Sequence, residues 1–100
     1  MLLTKTTNST SVTTFKLISG EEIITRVHED NVDHYILNKP MCLVPGPNGG
    51  LGLAPMLFSV DAKEYVRLNK TAIALQAPTV GEISTQYLTQ TTGIAIANTI

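Results

Sequence analysis

Thr13-Thr14-Phe15-Lys16-Leu17-Ile18-Ser19-Gly20-Glu21-Glu22-Ile23-Ile24-Thr25-Arg26-Val27-His28 is the stretch that decides the fold class. Its first part alternates, with Thr13, Phe15 and Leu17 on one face and Thr14 and Lys16 on the other, the period of a half-buried strand. Ser19-Gly20-Glu21-Glu22 then reads as a tight turn in which Gly20 supplies a positive φ. A second alternation sets Ile23, Thr25 and Val27 against Ile24, Arg26 and His28. The whole predicts a β-hairpin.

Working outward, Thr4 to Thr14 is rich in Thr, Ser and Asn and has no helical period, so a frayed start leads into the first strand. Downstream, Glu29-Asp30-Asn31 is a turn signal. His34 to Val44 is long, β-prone and interrupted by Pro40, which cannot donate to a ladder and marks an edge or a bulge. This is one bent strand or two. Pro45-Gly46-Pro47-Asn48-Gly49-Gly50 is a loop. Leu51 to Asp61 predicts a further strand, and Lys63 to Asn69 and Thr71 to Ala77 two short ones. After Pro78 the period changes. Val80, Ile83, Tyr87 and Leu88 recur at helical spacing, Thr79 and Glu82 have the spacing of a capping box, and Gly93 fits a C-terminal stop. The expectation is a single domain over residues 1–100: about five strands in a small bent antiparallel sheet or open barrel at 13–77, then a C-terminal helix over 80–91.

Composition narrows the function. In 100 residues, 43% are hydrophobic and 15% charged, which fits a folded domain and not a disordered tail. Seven Lys and Arg against eight Asp and Glu leave a net charge of −1. A protein that holds nucleic acid mainly by its phosphates carries a basic excess. Binding of that kind would therefore rest on a few local contacts or on charge gathered by oligomerisation. One cysteine, Cys42, excludes an internal disulfide and reads as a small buried hydrophobe. No signal peptide is legible at Met1 to Leu3 and no apolar run spans a membrane, so the expected location is the cytoplasm.

Catalytic patterns do not emerge. No phosphate-cradling glycine motif precedes a helix, and no serine or threonine is singled out with a base and an orienting group. Glu21 and Glu22 are adjacent and point to opposite faces of a strand. His28-x5-His34, with Glu29, Asp30 and Asp33 between, reads as a solvated acidic turn, because a zinc site needs about four ligands. The chain is expected to be no enzyme and to need no cofactor.

Two segments together resemble the Sm-like family. Phe15 to Asn31 looks like its first motif, two hydrophobic strands around a Gly turn ending in an acidic and amide loop. Tyr65-Val66-Arg67-Leu68-Asn69-Lys70 looks like its second, a hydrophobic residue followed by Arg-Gly-Asn, with Leu68 where the family has glycine. The neutral charge and Thr-rich start are similar to those of phage-encoded members. The resemblance implies a strongly bent five-stranded sheet whose edge strands pair with neighbouring copies into a homo-oligomeric ring. It also implies binding of short, U-rich single-stranded RNA at the inner rim. On that basis Asp30 and Asn31 are the acidic and amide pair, His34 or Tyr35 the stacking residue, and Arg67 and Asn69 the second-motif pair. Read from residue type alone, Arg67 equally suits an ion pair at a strand edge, and Asn69 suits a turn. The rival expectation is a structural or protein-binding ring module that lacks the RNA pocket, with the apolar Ile94 to Ile100 as an assembly element.

Overall fold

In the computed structural model, residues 11–92 are described. The frayed start, the Gly93 stop and the apolar tail Ile94 to Ile100 lie outside them. The described residues form six strands and one α-helix: β1 (Thr13–Leu17), β2 (Glu22–Asp30), β3 (His34–Pro45), β4 (Leu51–Pro55), β5 (Tyr65–Asn69), β6 (Ile73–Pro78) and α1 (Gly81–Thr92). All pairings are antiparallel, in the order β4-β3-β2-β1-β6, with β5 also on β3. The architecture is thus mostly β with a C-terminal helix, with six strands where about five were expected.

The β1–β2 hairpin forms around Gly20, at φ 110°, which only glycine adopts without strain. The turn is closed by the Gly20 N–H donating to the Leu17 carbonyl at 2.9 Å. Pro40 marks a bulge in a central strand, not an edge. On β3, Lys39 and Pro40 together oppose the single residue Thr25, since Ile24 pairs with Met41 and Arg26 with Asn38. Three residues on, the imbalance reverses. Val27 pairs with Leu37 and Glu29 with Ile36, so His28 is the extra residue on β2. Two opposed bulges restore the register and bend both strands. The first half of β3 then pairs with β5 and the second half with β4.

This bend lets the sheet curl. β5 and β6 sit at opposite ends of the path β5-β3-β2-β1-β6, about 19 Å apart if the sheet were flat. Yet they are joined by the three-residue 3-10 turn Lys70–Ala72, which spans only about 6 Å. The sheet must therefore bring its two ends together. No β5–β6 pairing forms among the described residues, so the curl is not closed into a barrel.

Each side of the sheet carries a core. Inside the curl, Phe15, Ile23, Tyr35 and Leu37 are buried, with Leu17, Val27, Met56, Val66, Leu68 and Ile73 packed on them. On the other side Val12, Ile24 and Tyr87 are buried, joined by Met41, Leu53, Ile83 and Leu88. Adjacent Ile23 and Ile24 thus serve opposite cores, as strand alternation requires.

Tyr87 of α1 is fully buried and its hydroxyl sits on the first bulge. It lies 2.7 Å from the Asn38 carbonyl and 2.9 Å from that of Lys39, and accepts from the Arg26 N–H at 3.2 Å. Thr25, also fully buried, points its hydroxyl at the Asn38 carbonyl at 3.2 Å. The backbone groups that a bulge takes out of the ladder thus find side-chain partners.

Three expectations are corrected. Leu51 to Asp61 is not one strand: β4 stops at Pro55, and Leu57, Phe58 and Val60 are exposed in a loop. That loop ends in a turn where the Asp61 carboxylate accepts the Lys63 N–H at 2.9 Å. Thr79 does not cap the helix. Its hydroxyl meets that of Thr14 at 2.8 Å, while the Ser84 N–H donates to the Val80 carbonyl at 2.9 Å, so the helix starts from Val80. Cys42 is half-buried within β3, not fully enclosed.

Replacing Tyr87 with Phe keeps the packing and removes the hydroxyl. Denaturant unfolding is expected to show a loss of about 1–3 kcal/mol, from backbone groups left without partners. Burial also raises the Tyr87 pKa above its ordinary 10.0. The folded state therefore holds this proton more tightly than the unfolded one. That contribution is complete below pH 10 and fades as pH rises through the folded value. The alkaline decline in stability should be shallower in Y87F than in the wild type.

Candidate functional site

The β2–β3 turn, residues Asn31 to Asp33, is held by the Asn31 N–H donating to the His34 carbonyl at 2.9 Å. Opposite it lies the end of β5, where His34 pairs with Asn69, Tyr35 with Leu68 and Ile36 with Arg67. The chain then enters the 3-10 turn, and the Lys70 N–H donates to the Asp33 carbonyl at 3.0 Å. At its far end the same turn accepts the Ile18 N–H on the Ala72 carbonyl at 2.8 Å. Backbone hydrogen bonds thus fix both sides of one small surface, and five of the six residues singled out from sequence, Asp30, Asn31, His34, Arg67 and Asn69, lie on it, with Tyr35 buried beneath.

Their side chains enter two polar groups, one linking Asn31, His34, Asp33, Arg67 and Asn69 and the other pairing Asp30 with Lys70. The His34 imidazole has Nδ1 2.7 Å from the Asp33 carboxylate and Nε2 3.1 Å from the Asn31 amide nitrogen. The imidazole is thus held at both ring nitrogens, by Asp33 on one side and Asn31 on the other. The Asn31 amide also reaches Glu29 at 3.3 Å. Arg67 donates from Nε to the Asn69 side-chain oxygen at 3.0 Å and has a terminal nitrogen 3.8 Å from Asp33. Lys70 bonds Asp30 at 2.7 Å. The His34 hydrogen bond holds the Asp33 carboxyl below its usual 3.8, and the Asp30 hydrogen bond holds Lys70 above its usual 10.5.

Tyr35 requires a correction. It is only 8% exposed, with its ring 5.0 Å from that of Phe15 and the Lys70 ammonium 4.6 Å over it. Its hydroxyl meets the Gln76 side chain at 3.0 Å, tying β3 to β6. Buried against Phe15 and covered by the Lys70 ammonium, it is a core residue and not a stacking surface. The strand alternation that turns Tyr35 inward turns His34 outward. Leu68, in the family's glycine position, lies within β5 and packs on the inner core.

Two members of the set were not singled out from sequence. Asp33 orients His34 and faces Arg67, and Lys70 covers Tyr35 and pairs with Asp30. The local signals were their positions beside His34 and Asn69. What joins them is the β3–β5 pairing, which no local pattern encodes. No cluster of three or more metal-binding side chains occurs among the described residues. His28 is directed elsewhere, stacked on Tyr65. No helix among the described residues is long and apolar enough to cross a membrane.

What this arrangement offers is a planar imidazole, a guanidinium and two amides in fixed relation. These are donors and acceptors suited to a planar polar ligand. Comparison with known protein families finds no match to this chain, and comparison with curated proteins finds no relative.

The Asp33–His34 bond predicts a defined acid response. Because the folded Asp33 pKa lies below its usual value, its stabilising contribution is present above pH 3.8 and disappears as pH falls through the lowered value. An NMR titration should place the Asp33 midpoint below the usual carboxylate range. In H34A that midpoint should return toward 3.8.

Proposed function

We propose that this chain is an Sm-like protein that assembles with copies of itself into a ring and binds short single-stranded, U-rich RNA. The observation that carries this reading is the Asn31–His34–Asp33–Arg67–Asn69 set of hydrogen-bonded side chains, where the β2–β3 turn meets the end of β5. Unstacked bases present a π-face and a hydrogen-bonding edge. His34 would stack on the base, Asn31 and Asn69 would read its edge, and Arg67 would hold a phosphate or carbonyl oxygen.

The strand edges support assembly. β6 pairs with β1 alone and β5 with β3 alone among the described residues, leaving one edge of each unpaired. All of β6 after Ile73 is exposed, with Leu75 at 69%. Such an edge invites pairing with another chain, and a β5-to-β6 contact between copies closes a ring head to tail. Repetition of a nearly neutral site around the ring would raise affinity by multivalency, without a basic excess in each subunit.

A second reading is favoured by one observation. Leu57, Phe58 and Val60 are exposed beside a cleft of about 400 Å³ that Pro40, Met41 and Val66 also line. An apolar rim of this kind suits a ring module that binds protein.

Native mass spectrometry of the protein, alone and with a short oligouridylate, separates the readings. The RNA-binding ring predicts a closed oligomer with RNA in fixed ratio, and R67A should weaken RNA uptake at least tenfold while leaving the oligomer intact. A closed oligomer that ignores RNA selects the protein-binding module. A monomer in both samples overturns the ring.

A further inference from the structure

The outer face of β5 continues beyond the polar set. Its five residues alternate strictly, with Tyr65, Arg67 and Asn69 exposed and Val66 and Leu68 half-buried. Each exposed residue has a direct partner on β3, Asn38, Ile36 and His34 in turn, and directly opposed side chains share a face. At the far end of this row the Tyr65 and His28 rings are stacked, with centroids 4.2 Å apart and planes 17° from parallel. Tyr65 is 53% exposed and His28 is exposed as well.

His28 reaches this position from β2, across β3, because it is the extra residue of the second bulge. A bulge re-aims a side chain that regular pairing would hold elsewhere. The result is a preformed aromatic pair on the surface, in line with Arg67 and Asn69.

We propose that the His28–Tyr65 pair is a second base-stacking platform for single-stranded nucleic acid, so that each subunit holds several nucleotides along β5 and not one. This rests on the RNA reading above and extends it. Tyr65 and Asn69 are four strand residues apart, roughly 13 Å. That is about four stacked steps of 3.4 Å, and fewer in an extended strand. Arg67 lies midway, 56% exposed at its side chain, where the backbone joining two stacked bases would pass. An oligonucleotide laid along this row meets a platform at each end and a guanidinium between. Stacking of this kind tolerates any base, because every base has a π-face.

The test measures binding of uridine monophosphate and of tetrauridylate to the full chain. Y65A is expected to weaken the tetranucleotide about tenfold and leave the mononucleotide unchanged. R67A is expected to weaken both, and Y65F to behave as wild type. His28 ring-proton resonances of the wild-type chain should move upfield with tetrauridylate and stay in place with the mononucleotide. This readout holds even if Y65A folds poorly. Tetrauridylate binding that responds to R67A, with neither a Y65A effect nor a His28 shift, overturns the second platform and leaves the first site standing. A wild-type chain that takes up no oligonucleotide overturns both.

Discussion

The contact between the Tyr87 hydroxyl and the bulge at Lys39-Pro40 holds the rest of the structure in place. A central strand can carry neither a proline nor a left-handed residue without losing ladder hydrogen bonds, and β3 carries both in succession. Lys39 has φ 55°, rare for a residue with a side chain. The backbone there is satisfied from two sides, by buried Thr25 within the sheet and by Tyr87 from the helix. Lys39 also gives its side chain to the helix, donating to the Thr91 carbonyl at 2.7 Å. A cation on a last-turn carbonyl suits the helix dipole. The irregular residue thus binds the element that makes its irregularity tolerable.

From that bend the geometry of the candidate site follows. Because β3 turns at Lys39, its first half is free to pair with β5 while its second half pairs with β4. Because β5 returns to β6 through three residues, the sheet curls and the β2–β3 turn is drawn against the 3-10 turn. The electrostatics that result are mixed. Glu29, Asp30 and Asp33 lie among Arg67 and Lys70, and the carboxylates take up part of the basic charge, Asp30 in a short pair with Lys70 and Asp33 in a longer one with Arg67. A site of this kind has little attraction for phosphate at long range. Its recognition would come from hydrogen-bond geometry and stacking at contact distance, which fits the near-neutral charge of the whole chain.

Much of this was legible in the residues. The hairpin around Gly20 and the helix beyond Pro78 rest on strong local signals, period and backbone conformation, and they form where expected. Pro40 announced a break, but whether edge or bulge depended on what lay across from it. That is set by Thr25 and Tyr87, distant in sequence. Leu57, Phe58 and Val60 look like strand residues because apolar content cannot show that no partner strand lies alongside. Thr79 lost its capping role to Thr14, again through pairing of distant segments. The same limit applies at the site. Its members sit in two stretches that sequence picks out, yet the inward turn of Tyr35 and the recruitment of Asp33 and Lys70 arise from β3–β5 register.

The strand edges set a further constraint on any reading of this protein. Among the described residues, a sheet that curls without closing leaves the outer edges of β5 and β6 unpaired, and a row of free backbone donors and acceptors is a hazard unless covered. Charges or proline along the edge usually blunt it. In β6 the sequence Ile73-Ala74-Leu75-Gln76-Ala77 offers neither until Pro78, and Leu75 is largely exposed. In β5 the exposed positions are Tyr65, Arg67 and Asn69, with one charge among the three. Among the described residues, no strand or charged side chain of the same copy blunts the outer edge of this stretch of β6. In the proposed ring, a head-to-tail contact between β5 of one copy and β6 of the next would supply the missing hydrogen bonds and repeat the site once per copy. Edge protection and a repeated binding surface would then share one physical cause, the bend at Lys39 that lets the sheet curl and splits β3 between β4 and β5.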